Sequence, residues 1–166
     1  MKKIQLGGHT KKSKIRGYAI VDDWNYNWLN QWRWSLHPSG YAYRLRYNSK
    51  KGKYENISMH QIIHKNPKGS QTDHINRDPL DNREQNLRTA TSSQNRMNID
   101  LKRNNTSGYK GVYWHKRDKQ WMVRIQKDYK QIFLGNFHDK KIAALRYNIE
   151  ARELFGKYAK LNIIKF

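Results

Sequence analysis

A chain of 166 residues with 34 Lys and Arg against 13 Asp and Glu carries a formal charge of +21, and the excess is spread along its whole length, so a polyanion is the expected partner. It has no cysteine, which excludes disulfides and a thiolate zinc site as sources of stability, and no apolar run approaches a membrane span. Six Trp and eleven Tyr supply bulk for one ordinary domain or for two to three small ones, and the protein is expected to be soluble and intracellular (cytoplasmic).

Residues 1–16 are polar, basic and glycine-containing, which predicts a short strand at most within a flexible arm, lying along phosphates or in solvent. From Gly17 to Val21 the chain turns apolar and β-prone, and Asp22 and Asp23 then offer an N-cap for a helix over 24–32. Trp24, Trp28 and Trp32 recur at i, i+4 and i+8 of that helix. Tryptophan can stack on unpaired bases, but a stripe of helical period is expected to be buried core. Residues 40–47 and 54–59, joined by a turn over 48–52, read as a hairpin. A short helix follows from Met59. His60 and His64 stand four apart on it, a zinc-binding spacing, but the sequence offers no third ligand, so they are read as structural or phosphate-facing. Residues 1–66 are thus expected to form an N-terminal α+β segment.

Residues 72–98 read TDHINRDPLDNREQNLRTATSSQNRMN. An acid stands beside a histidine (Asp73, His74), a turn-rich loop runs through Pro79, Asp81 and Asn82, a β-prone segment covers 86–91, and a Ser-led helix start carries Asn95. The order is strand, loop, strand, helix. A hard divalent cation such as Mg²⁺ takes oxygen ligands and keeps several waters, so one carboxylate and one amide oxygen on neighbouring elements are enough protein to hold it. Asp73 and Asn95 are the candidate ligands. A neutral imidazole beside them can take a proton from an attacking water, which makes His74 the candidate base, and an amide oxygen from the facing strand, Asn86, would fix its tautomer. Arg83 or Arg88 is the candidate to offset charge near a phosphate.

The set Asp73-His74, Asn86-Leu87-Arg88 and Asn95 resembles the HNH (ββα-metal) nucleases, in particular the phage and intron-encoded homing endonucleases that end the motif in Asn instead of His. The resemblance implies that His74 is the general base, Asn86 its orienting residue, and Asp73 with Asn95 the metal ligands, the metal being Mg²⁺ or Mn²⁺. Some relatives carry a structural Cys-x-x-Cys zinc pair, which this chain lacks.

After Asn95 the helix is expected to run to about Leu101, and 102–107 to form a basic linker that floats or becomes ordered on DNA. Three strands follow at 109–115, 121–126 and 131–137, split by turns at 117–119 and 127–130. Trp121, Val123 and Ile125 alternate with Met122, Arg124 and Gln126, as a sheet with one buried and one free face requires. Asp139 can cap a helix over 140–155, with Gly156 just past its end and Ala144, Tyr147, Ala151 and Phe155 on one face. The run SGYKGVYWHKRDKQWMVRI, then LGNF, then AALRYNIEARELFGKYAKLN, resembles the Apetala/ethylene-response-factor DNA-binding domain over nearly all of 107–162. That resemblance implies a sheet laid in the major groove, with contacts from its outer face at Lys110, Tyr113, His115, Arg117, Arg124 and Gln126. Tyr113 and His115 stand where the plant domains have arginines, so the plant target sequence does not carry over.

The expected fold class is therefore α+β and modular: a ββα-metal nuclease core at 67–101, a linker at 102–107, and a three-stranded antiparallel sheet packed on one helix at 108–166. The expected function is a site-preferring, homing-type endonuclease acting on double-stranded DNA, with no membrane and no obligate protein partner. The alternatives are a DNA-binding regulator with an inactive nuclease core and, on charge and aromatics alone, an RNA-binding protein. A chain ending near Asn105 is expected to keep the cutting residues and to cut weakly.

Overall fold

The structure, a computed structural model, describes residues 1–7, 14–101 and 104–165. Part of the expected arm, 8–13, and Lys102 and Arg103 of the expected linker lie outside the described residues, as does Phe166. The fold is mixed α+β, and the chain divides into two compact units, Met1–Ala90 and Thr91–Phe166.

The first unit is built on a five-stranded sheet of β1 (Lys2–Gly7), β2 (Gly17–Val21), β3 (Trp34–Leu36), β4 (Ala42–Asn48) and β5 (Lys53–Ser58), in the order β2-β1-β3-β4-β5. Among the described strands of this sheet, the β1–β3 pairing is parallel and the others are antiparallel. Residues 1–7 are not an arm. Ile4 and Leu6 alternate with polar residues, and that period of two turns both into a core with Ala19, Val21, Leu29, Trp34, Ala42 and Met59.

The tryptophan stripe holds in part: Trp28 and Trp32 are half-buried and pack against this core, and Trp24 does not. Helix α1 is Asp23–Leu29 and buries Asn25 and Leu29, leaving Trp24 68% exposed. The chain leaves the helix there because Trp34, 1% exposed, fills the core and its indole Nε1 donates to the Leu29 carbonyl at 2.8 Å. Trp32 therefore lies past the helix and packs edge-on against Trp28, centroids 5.6 Å apart.

Helix α2 (Met59–Ile63) leads to β6 (Gln71–His74), which pairs antiparallel with β7 (Leu87–Ala90), Asp73 opposite Arg88 and His74 opposite Leu87. The intervening loop is stitched to the large sheet: Ile20 donates its N–H to the Leu80 carbonyl and accepts from the Asn82 N–H, both at 2.8 Å. The β2 edge, a row of unpaired backbone groups otherwise, is partly covered by this contact.

In the second unit, α3 (Ser92–Met97) opens on a capping box in which the Thr91 hydroxyl accepts from the Gln94 N–H and the Gln94 side chain accepts from the Thr91 N–H. It stops at Met97 and does not reach Leu101. A three-stranded antiparallel sheet, order β10-β9-β8, comprises β8 (Val112–His115), β9 (Gln120–Lys127) and β10 (Lys130–Phe137), and packs on α4 (Lys140–Phe155). The Asp139 carboxylate caps α4 through the N–H groups of Lys141 and Ile142. Ala143, Ala144 and Ala151 let the helix lie close to Val112, Val123 and Ile125, with Tyr147, Phe155 and the α3 residue Met97 completing the core. Gly111 is fixed by the same closeness: at φ +74° an added Cβ would stand 2.1 Å from the Tyr147 ring. Among the described residues no helix is long and apolar enough to cross a membrane.

Candidate active site

Asp73 and His74 end strand β6, and both are buried, 4% and 5% exposed. Their register against β7 brings Arg88 to Asp73, whose Oδ2 accepts from Arg88 Nε at 2.7 Å and lies 2.6 Å from a second guanidinium nitrogen. A buried carboxylate requires such compensation. A carboxylate is a hard anionic oxygen donor, the chemistry that an oxygen-preferring cation of the Mg²⁺ kind takes. Of the two arginines considered for charge near a phosphate, Arg88 is engaged with Asp73 and Arg83 with Asp81.

The histidine is set differently from the sequence expectation. Asn86 does not orient it: its Oδ1 accepts from the Asn76 N–H at 3.0 Å, and its Nδ2 donates to Asn76 Oδ1 at 2.9 Å and the Asp81 carbonyl at 2.8 Å. Asn86 lies at the end of the turn Glu84–Asn86, so its amide faces the loop and closes it. The amide that acts on the imidazole is Asn82, which raises the His74 pKa and whose backbone is held by the pairing with Ile20. Burial pushes the His74 pKa below the ordinary histidine value, opposed by that amide and by the carboxylates of Asp73, Asp78 and Asp81. The ring is therefore neutral near pH 7, the state in which an imidazole accepts a proton.

The loop is also tied together by charge. Asp81, 2% exposed, receives an Arg83 fork at 2.8 and 2.6 Å and the Asn76 amide at 2.8 Å. The Arg83 guanidinium holds the Asp81 carboxyl below the usual carboxylate range. Glu84 is tied to α1 through Trp24 Nε1 at 3.1 Å and Asn25 Nδ2 at 2.9 Å, while Asp22 accepts from the Glu84 N–H and so does not cap α1 with its side chain.

Two residues outside the motif complete the surroundings of His74. Tyr41 and His60 stack around it, with His60 on α2. Only the four-residue spacing of His60 and His64 drew attention to either histidine, and that spacing is not used for a shared ligand: the His64 ring pairs with Thr89 Oγ1 at 3.0 Å.

In the second unit Asn95 stands on α3, its backbone bonded to Thr91 and Asn98. The candidate DNA-reading residues of the sheet divide. Tyr113, His115, Arg124 and Gln126 alternate with the buried Val112, Val123 and Ile125 and so share the outer face, with Arg117 in the turn beside them. His115 and Arg117 both lie within 3.1 Å of the Asp118 carboxylate, and Arg124 donates to Gln131 at 3.2 Å. Lys110 is not on that face. Its ammonium donates to the carbonyls of Met97 at 2.6 Å and Ile99 at 3.1 Å, where the end of α3 leaves acceptors without helical partners.

A family model described as HNH endonuclease matches residues 65–97. Over 97 residues the chain is 35% identical to protein 3.8 of Escherichia phage T7, a match covering 57% of this chain and 77% of the phage protein. It is 30% identical over 155 residues to an uncharacterized HNH endonuclease of Acanthamoeba polyphaga mimivirus, covering 90% of this chain and 75% of the viral protein.

Proposed function

The chain belongs to the HNH endonuclease family, and from that premise we propose that it is a site-preferring, homing-type endonuclease that hydrolyses one phosphodiester bond of double-stranded DNA with His74 as general base and Mg²⁺ or Mn²⁺ as cofactor. The observation that carries this reading is the buried Asp73–His74 pair at the end of β6, a neutral imidazole next to a carboxylate inside the matched segment. Asp73 would hold the cation, and Asn95 is counted as the second ligand on the ground of the sequence match alone. When bound, the cation supplies positive charge beside the phosphate oxygens. His74 takes a proton from water as the water oxygen bonds to phosphorus; the bond from phosphorus to the leaving deoxyribose oxygen breaks, and that oxygen takes a proton from solvent. Asn82 keeps the imidazole in place, and Asn86 acts one step back by closing the loop that carries Asn82.

Site preference is assigned to the outer face of the β8–β10 sheet, in keeping with its resemblance to the Apetala-type DNA readers. Tyr113, His115, Arg117, Arg124 and Gln126 would contact base edges and phosphates there. Lys110 is left out because its ammonium is engaged at the end of α3.

The test is cleavage of supercoiled plasmid with Mg²⁺, Mn²⁺ or EDTA, run beside His74→Ala. Metal-dependent cutting that disappears in the variant is expected. Full cutting by His74→Ala removes it as base, and DNA binding without cutting by the wild type identifies a regulator with an inert core.

A further inference from the structure

An imidazole that accepts a proton from water must keep its plane, yet Asn86 is engaged elsewhere. What surrounds the His74 ring is a triangle of rings within the first unit. The His60 ring meets the His74 ring at 5.3 Å and 82°, the Tyr41 ring meets it at 5.8 Å and 37°, and Tyr41 and His60 meet each other at 5.0 Å and 60°.

We infer that Tyr41 and His60 are positioning residues for the reaction, an aromatic seat that fixes the plane of His74. Edge-to-face packing at near right angles admits one orientation of the packed ring and opposes rotation about its χ2, a torsion that is otherwise broad. His60 is itself fixed by packing: it is 9% exposed and its buried Nδ1 has no hydrogen-bond partner among the described residues. Burial, reinforced by His74, also pushes its pKa down to about 4. Because α2 and the residue preceding β4 supply both rings, the N-terminal sheet is part of the site and not only a neighbour of it.

This inference rests on His74 being the base, and the experiment separates the two. Full-length His60→Leu, His60→Phe, Tyr41→Leu and His74→Ala are compared in single-turnover plasmid cleavage with Mg²⁺ and in DNA-binding titrations. His60→Leu and Tyr41→Leu are expected to cut at least tenfold more slowly with DNA affinity within twofold of wild type, and His60→Phe, which keeps a ring, to recover to within threefold of the wild-type rate. A His60→Leu rate within twofold of wild type overturns the inference, as does equal loss in His60→Phe and His60→Leu. Unfolding of both leucine variants, seen by melting and by lost DNA binding, assigns the rings to the fold and overturns it too. If His74→Ala cuts like wild type, the base assignment falls; if it is inactive while His60→Leu is fully active, only the seat falls.

Discussion

Acidification should loosen the first unit through His60, and the size of the effect follows from its burial. The folded pKa is about 4 against an ordinary value of 6.5. The folded ring resists a proton that the unfolded chain takes up, so the stabilisation is fully present above 6.5 and is lost as the pH falls from 6.5 toward 4. At 1.36 kcal/mol per pH unit, that amounts to about 2 kcal/mol lost between pH 7 and pH 5 and about 3 kcal/mol by pH 4. Asp81, whose carboxyl is held low by Arg83, loses its contribution only below the ordinary carboxylate range and lies outside the window. His74 titrates in the same direction but is present in wild type and variant alike. The assay is urea unfolding followed by tryptophan fluorescence at pH 7, 6 and 5 for wild type and His60→Phe, each unit's transition being fitted separately because one two-state curve does not describe a two-unit chain. The variant should be flatter than wild type by about 2 kcal/mol across that range. Parallel pH curves for the two proteins would refute the reasoning.

Three other outcomes are expected. Arg88→Met strips the buried Asp73 of its counter-charge and should lower stability by about 3 kcal/mol in EDTA, with Mg²⁺ returning part of the loss; a melting curve indifferent to Mg²⁺ argues against a cation at Asp73. Gly111→Ala combines a left-handed backbone at φ +74° with a Cβ 2.1 Å from the buried Tyr147 ring, and should cost about 3 kcal/mol, read as earlier melting of the second unit and weakened DNA binding. A chain ending at Asn105 keeps Asp73, His74, Asn86 and Asn95 but removes the β-sheet and α4 partners of Met97 and the lysine that holds the end of α3. It should therefore lose cleavage altogether, and retained weak cutting would show that α3 stands without them.

This last expectation reverses the one drawn from sequence, in which a chain ending near Asn105 still cuts weakly. The reversal comes from Met97, which shares its core cluster with Val112, Val123 and Tyr147, none of them near it in the chain.

The sequence by itself determined what local rules govern. Alternation at Trp121, Val123 and Ile125 gave the buried face of β9, and Asp139 and Gly156 marked the ends of α4. The adjacency of Asp73 and His74, with Asn86, Arg88 and Asn95 at their spacings, pointed to the nuclease family. Tertiary structure decided what depends on partners far along the chain. Ile4 and Leu6 became core because β1 found β2 and β3, Trp24 stayed outside because α1 turns Asn25 and Leu29 inward, and Lys110 turned from the outer face to the carbonyls at the end of α3. Around His74 the same holds: Asn82, Tyr41 and His60 reach the ring through a loop stitched to Ile20 and through packing of α2. Spacing in the chain carries no trace of such contacts, because they are set by strand order and by which buried surfaces fit together.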